Sequence, residues 1–288
     1  MIQSLSETSA TAEGRQWSLA HGRTLTVGPR AILMGILNVT PDSFSDGGHF
    51  ATLDSALRQA EQMEAEGAVI IDVGGESTRP GAAPVSAQQE QDRVLPVVEA
   101  LAKRIDIILS IDTYRAETAR LAVQAGAHIV NDILGLQKHS DVARIAAETE
   151  AGLVIMHTGR EREKLADPIA DQVAFLSRSL EIAAAVGVSP SQIVLDPGFG
   201  FAKDVNDNLD LIARFEELIK LGHAWMVGTS RKRFLGEITA REPLDRGVGT
   251  AATSVALRVA GAAIFRVHDV AINADALKVA DAILARRA

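Results

Sequence analysis

Short apolar runs rich in Ile and Val recur along the chain, and each is followed by a stretch with helical spacing. The runs are Ala31–Leu37, Val69–Val73, Ile107–Ile111, His128–Val130, Leu153–Met156, Ile193–Leu195, Trp225–Val227 and Ala262–Val267, eight in all. Between them Leu53, Ala56, Leu57, Ala60 and Met63 fall on one helical face, as do Leu211, Ile212, Phe215, Leu218 and Ile219. Near the end Ile272, Ala276, Val279 and Ile283 form another such stripe. Strands apolar throughout and bounded by helices are buried on both faces, which predicts a parallel sheet. Periodicity alone also admits an open doubly wound sheet, but eight units favour closure into an α/β (β/α)8 TIM barrel. Ahead of it, Gln16 to Val27 predicts a short N-terminal β-hairpin: Trp17 and Leu19 alternate, His21-Gly22 turns, and Leu25 and Val27 alternate again. Residues 1–15 are expected to be a frayed tail, and 16–288 one domain.

Composition narrows the function without changing that picture. The chain has 288 residues, 47% hydrophobic and 23% charged, ample for one large core. It contains no cysteine, which excludes disulfides, thiolate metal sites and cysteine nucleophiles and permits a cytoplasmic location. A formal net charge of −8 argues against nucleic acid as the partner. No apolar stretch reaches the roughly 18 residues that suggest a membrane span, and the polar first residues lack the apolar core of a secretory signal. Small molecules are the expected partners.

The chemistry gathers where the runs end. In order, the runs hold or deliver Asn38, Asp72, Asp112, Asn131, His157 and Asp196, then Ser230-Arg231-Lys232, then Arg266 and His268. Single polar residues there can simply mark where a strand meets water. Eight in succession, on strands whose ends converge on one rim, predict a ligand with several hydrogen-bonding edges and an anionic group. Val39–Thr52 and Gly74–Ala87 are Gly-, Pro- and Ser-rich, as loops that cover a site are. Thr229 to Lys232 opens a helix, where backbone N–H groups and cations suit an anion. The Gly198-Phe199-Gly200 stretch has Lys203 in place of the third glycine of a dinucleotide fingerprint, and no Walker A sequence exists.

Two long motifs then carry a resemblance. Met34-Gly35-Ile36-Leu37-Asn38-Val39-Thr40-Pro41-Asp42-Ser43-Phe44-Ser45-Asp46-Gly47-Gly48 and Asp72-Val73-Gly74-Gly75-Glu76-Ser77-Thr78-Arg79-Pro80-Gly81 resemble the signatures of dihydropteroate synthases. Ser110-Ile111-Asp112-Thr113, Asn131-Asp132-Ile133, Leu195-Asp196-Pro197-Gly198-Phe199-Gly200-Phe201, Ser230-Arg231-Lys232 and Arg266-Val267-His268-Asp269 are similar to further family motifs, from about Ile32 to the end.

The resemblance implies condensation of a hydroxymethyl-dihydropterin diphosphate with p-aminobenzoate, a step of folate biosynthesis, in a cytoplasmic homodimer. It assigns the pterin to Asp196, Asn131, Asp112 and Lys232, and the diphosphate to Asn38, Arg79, Arg266 and His268. Asn38 also helps to hold Mg²⁺. p-Aminobenzoate falls to Thr78, Pro80, Phe201, Ser230, Lys232 and Arg233, and catalysis to Asp112, Lys232 and Arg79. Residue-level alternatives stand beside these roles: Asp196 before Pro197 can cap a turn, and Asp112 can pair with Arg115. The fifth segment departs from the family pattern, reading Met156-His157-Thr158-Gly159-Arg160 where many members have Met-His-Met, and position 233 is Arg where some carry Ser. The intact Ser-Thr-Arg-Pro-Gly run implies sensitivity to sulfonamides. The alternatives are a methyltetrahydrofolate:corrinoid methyltransferase, which would have no use for Arg79, Arg266 and His268, and a non-catalytic pterin-binding protein.

Overall fold

The computed structural model of the chain describes residues 14–40, 49–77 and 83–287. It begins with the antiparallel pair β1 (Arg15–Ser18) and β2 (Thr24–Val27). Then strand and helix alternate: β3 (Ile32–Asn38), α1 (His49–Ala65), β4 (Ile70–Gly74), α2 (Ala87–Arg104), β5 (Ile108–Asp112) and α3 (Ala116–Gln124). Next come β6 (Ile129–Asp132), α4 (Asp141–Glu148), β7 (Gly152–Met156), α5 (Pro168–Ala185) and β8 (Ile193–Asp196). The last part holds α6 (Val205–Ala213), α7 (Phe215–Ile219), β9 (Ala224–Val227), α8 (Arg233–Thr239), α9 (Gly247–Val259), β10 (Ile264–Val267) and α10 (Val270–Leu284). Strands β3 to β10 close into one barrel in chain order, every pairing parallel. Each expected strand is present, with bounds moved by no more than two residues.

Strand alternation sorts the side chains into two sets. Ile71, Val73, Leu109, Ile111, Val130, Leu153, Ile155, Leu195, Val227, Phe265 and Val267 face outward and pack with the helices in the larger core cluster. Met34, Ile70, Ile108, Ile129, Val154, Val194, Met226 and Ile264 face inward and form a separate floor. One inward step up each strand, the chain places Ile36, Asp72, Ser110, Asn131, Met156, Asp196, Gly228 and Arg266. The barrel is therefore apolar at its base and largely polar one layer above.

The hairpin closes the base. Trp17, Leu19 and Val27 pack on the inward floor, and Trp17 Nε1 donates to the Gln192 carbonyl at 2.7 Å. Gly152 leaves room for it, since a Cβ there would lie 2.5 Å from Leu19 Cδ2. Trp17 is 1% exposed, and we expect Trp17→Ala to cost roughly 3–5 kcal/mol through the lost packing and the cavity left behind. Urea unfolding followed by circular dichroism measures it, and a cost below about 1 kcal/mol would mean the base stays closed without the indole.

Three expectations need correction or adjustment. The apolar stripe over Leu211–Ile219 does not lie on one helix: the backbone breaks at Arg214 (φ −112, ψ 19), giving α6 and α7. On α10 the buried stripe is Val270, Asn273, Ala274, Leu277 and Ala280, while Ile272, Val279 and Ile283 are exposed. The folded unit starts slightly before Gln16, because Arg15 already pairs with Val27; residues 1–13 of the expected tail lie outside the described residues.

Candidate active site

The polar layer above the floor is a network of charges that burial keeps in mutual contact. Arg266 of β10, at the opposite end of the chain from its partners, donates from Nε to Asp72 Oδ2 at 2.6 Å and from Nη2 to Asp112 Oδ2 at 2.8 Å. Gly228, just past the end of β9, lies beside it, with a hypothetical Cβ in ordinary contact at 3.8 Å from Arg266 Cβ. Asn131 Nδ2 reaches the same Asp72 oxygen at 3.1 Å. Burial pushes the Asp112 carboxyl up to about 7 against the pull of Arg266, and the nearby Asp72 charge adds to the rise. Burial also works against the Arg266 charge, but Asp72 and Asp112 outweigh it and hold its pKa above the usual value. Asp112 does not pair with Arg115, which instead bonds Glu76 at 2.6 Å and lies 3.2 Å from Glu90.

Across the barrel, Asp196 Oδ1 accepts the Gly198 backbone N–H at 2.7 Å, so the turn-capping role is real and uses one oxygen of two. Gly198 adopts φ +63 and its Cα packs so close to the His157 carbonyl that a Cβ would meet it at 2.0 Å. Burial lifts Asp196 to about 6. Lys232 Nζ stands 4.3 Å from the centre of the Phe201 ring, and burial, then the Arg266 charge, brings it down to about 8. Phe201, Met156 and Ile133 form a small apolar cluster separate from both larger cores. Met156 stands level with Asp196 on the neighbouring strand and Phe201 lies under Lys232, so apolar side chains border the carboxylates and amides of the polar layer.

At the mouth, Ser230 Oγ lies 3.0 Å from His268 Nδ1 and accepts the His268 backbone N–H at 3.1 Å. Lys232 is the residue that precedes α8, as the sequence suggested. The side chain of Arg233 does not join the cluster: it is 90% exposed and pairs with Glu237. Asn38 Oδ1 and Asp112 flank Gly74, where a Cβ would lie 3.6 and 3.7 Å from them. Thr78, Arg79 and Pro80, and residues 41–48 of the first motif, lie outside the described residues.

The structure thus brings together Asn38, Asp112, Asn131, Asp196, Phe201, Ser230, Lys232, Arg266 and His268. It withdraws His157 from the rim. That ring is 1% exposed and held between Asp171 at 2.9 Å and Lys203 Nζ at 2.9 Å. Burial, with the Lys203 and Arg162 charges, keeps it neutral. Asp269 likewise serves the fold, capping α10 through the Ile272 N–H at 3.1 Å. Sequence reasoning missed roles for Asp72, for the walls Met156 and Ile133, and for Arg160, whose guanidinium sits 4.6 Å from the Phe201 centroid. Asp72 was already among the polar residues delivered by the runs; the two-residue alternation above the apolar floor was the signal that could have given it an inward role and found Met156.

A family profile described as "Pterin binding enzyme" matches residues 34–268. A Synechocystis dihydropteroate synthase is 46% identical over 263 residues, covering 89% of this chain and 91% of that protein. Among solved structures, a dihydropteroate synthase from Clostridium difficile, in the presence of pteroic acid, superposes with a TM-score of 0.88 at 44% identity, covering 90% of this chain and 98% of that one. The Xanthomonas albilineans enzyme with 4-aminobenzoic acid gives a TM-score of 0.88 at 40% identity, covering 94% and 99%.

Proposed function

The chain belongs to the pterin-binding enzymes, among the dihydropteroate synthases, and from that premise we propose how its polar layer joins a dihydropterin diphosphate to p-aminobenzoate. The reading rests above all on Arg266, a part-buried cation forked between Asp72 and Asp112 at 2.6 and 2.8 Å beside the Asn131 amide.

The pterin's 2-amino group and adjacent ring N–H form a double donor edge, and ionised Asp196 accepts from it. Asn131, Asp112 and Lys232 take the remaining edge atoms between the walls Met156, Ile133 and Phe201. Arg266 and His268, with Arg79, bind the diphosphate. Asn38 fits a Mg²⁺ contact because it offers a hard amide oxygen at the rim beside Asp112, and Mg²⁺ takes few protein ligands when phosphate and water supply the rest. When bound, the ion would neutralise charge on the diphosphate oxygens.

The amine nitrogen of p-aminobenzoate attacks the exocyclic methylene carbon. The carbon–oxygen bond breaks, its electron pair leaves with diphosphate, and the amine gives up a proton. Asp112 faces the positive charge that spreads into the pterin as the bond opens. p-Aminobenzoate lies against Phe201 and Lys232, with Thr78 and Pro80, and its carboxylate faces Ser230 in the turn that leads into α8. For Arg233 to assist, it must leave Glu237.

A coupled diphosphate-release assay, with pterin diphosphate, p-aminobenzoate and Mg²⁺ omitted in turn, tests the reading. Release should require all three, form dihydropteroate in step, and be inhibited by sulfonamides in competition with p-aminobenzoate. Tight pterin binding without turnover would favour the non-catalytic binder instead.

A homodimer through the last two helices is part of the proposal. Support comes from Ile272, Val279 and Ile283, exposed on one face of α10, and from Val248 and Val259 exposed on α9. Val279 is 61% exposed, so Val279→Glu should leave the protomer folded and convert a dimer to a monomer in light scattering. A wild type that is monomeric at micromolar concentration would end this part of the proposal. Among the described residues no helix is long and apolar enough to cross a membrane, and the cytoplasmic location stays a proposal.

A further inference from the structure

Asp72 is the most enclosed charge of the polar layer, with no exposed surface, and nothing in the reaction above uses it directly. Its Oδ2 accepts from both Arg266 Nε and Asn131 Nδ2, at 2.6 and 3.1 Å. Its Oδ1 has no partner, and neither do Asn131 Oδ1 and Ser110 Oγ, all buried. Ser110 stands level with Asp72 on the next strand.

These contacts have chemical consequences. An ionised carboxylate only accepts, so the Asn131 atom against it must be the –NH2 end. Asn131 therefore turns its carbonyl oxygen away from Asp72 as a buried acceptor that lacks a donor. The Arg266 guanidinium is held by its Nε edge, and its Nη2 reaches towards Asp112 near the mouth. An amide at position 72 could keep an acceptor for both neighbours and also offer –NH2 to the unpartnered oxygens around it. What an amide lacks is the charge.

Resting on the pterin diphosphate reading, we propose that Asp72 is a positioning residue that couples the pterin pocket to the diphosphate site. Its one oxygen fixes Asn131 to read a donor on the pterin and fixes the anion-binding arginine. Its charge keeps that arginine from being drawn wholly to Asp112. Without the charge, Asp112 is the remaining carboxylate on Arg266 and takes its Nη edge, which then competes with diphosphate.

Two variants separate the hydrogen bonds from the charge. Asp72→Asn keeps an acceptor, so the free hydroxymethyl-pterin alcohol should bind within about threefold of wild type, while the KM for the pterin diphosphate rises about tenfold or more. Asp72→Ala loses the acceptor as well, so it should weaken the alcohol too, by about tenfold. Where the alanine variant does not fold, Asp72→Ser supplies the short-chain comparison. In an Arg266→Gln background, Asp72→Asn should add less than about twofold to the diphosphate KM, because the group it acts through is gone. Equal losses for alcohol and diphosphate in Asp72→Asn, no loss for either, or full additivity with Arg266→Gln would each overturn the coupling. Failure of the wild type to bind the pterin alcohol would instead remove the underlying reading, so the two failures are distinguishable.

Discussion

Replacing Asp196 by asparagine is expected to weaken binding of the pterin alcohol by roughly 10²–10³-fold, about 3–4 kcal/mol, and to leave the fold intact. The size follows from the geometry. One carboxylate oxygen already receives the Gly198 N–H at 2.7 Å. An asparagine that keeps an oxygen there must present –NH2 to the pterin's two donors, and the flipped amide sets –NH2 against Gly198 N–H instead. Either orientation sets donor against donor in a residue that is 4% exposed. Stability should move the other way. Burial raises the Asp196 carboxyl to about 6, above its unfolded value, so its contribution to stability is fully present at low pH and lost as pH rises through about 6. At pH 7 the ionised side chain therefore works against folding, and the amide does not. The asparagine variant should melt at or above the wild-type temperature at pH 7 while binding the pterin alcohol poorly by calorimetry. Pterin affinity of the wild type should rise as pH increases through about 6, and this rise should vanish in the variant. Unchanged affinity would mean that Asp196 serves only its turn.

Arg266→Gln has the second large effect, and it divides by ligand. Loss of the guanidinium should weaken the pterin diphosphate by roughly 10²–10³-fold, in line with loss of charge-assisted bonds to an anion, and the free alcohol by less than about tenfold. Equal losses for the two ligands would contradict the anion assignment. The variant also leaves Asp72, with no exposed surface, and Asp112 without their shared cation. Breaking a buried pair on one side costs about 3–5 kcal/mol. Without the pull of Arg266 the Asp112 carboxyl, already lifted by burial, should titrate higher still in the folded state, so part of the lost stability returns as pH falls and it protonates. Binding is best compared below the variant's melting point, and urea midpoints at pH 5.5 and 8 give the stability arm. A midpoint that drops equally at both would argue that these carboxylates do not carry the cost.

Legibility followed distance along the chain. The eight strands were readable because a buried parallel strand needs four or five contiguous apolar residues, a property of neighbours in sequence. Rim residues such as Asp112, Asn131 and Asp196 were readable for the same reason, since each breaks an apolar run at its end. The C-terminal helix was misread from the same local information. Val270, Ala274, Leu277 and Ala280 make one apolar stripe and Ile272, Val279 and Ile283 another, so periodicity had no direction. Only packing on α9 and β3 chose between them.

Partner choice was out of reach in sequence. Arg115 stands three positions from Asp112, yet it turns to Glu76 and Glu90, and Asp112 takes Arg266 from the far end of the chain. Arg233 carries the charge expected of an anion site but lies on the outward side of α8, where Glu237 one turn on holds it. His157 directly follows β7, close to where the rim residues stand on their strands, but the loop after β8 brings Lys203 over it and closes it off. Alternation and apolar content are written in contiguous residues, because backbone geometry repeats every two or 3.6 positions. Which charges meet depends on closing β10 onto β3, which sets Arg266 across the barrel from strands it never neighbours in sequence. The sequence alone therefore determined a barrel with a polar rim and the family to which it belongs. The closed tertiary structure decided which of those polar groups form one site.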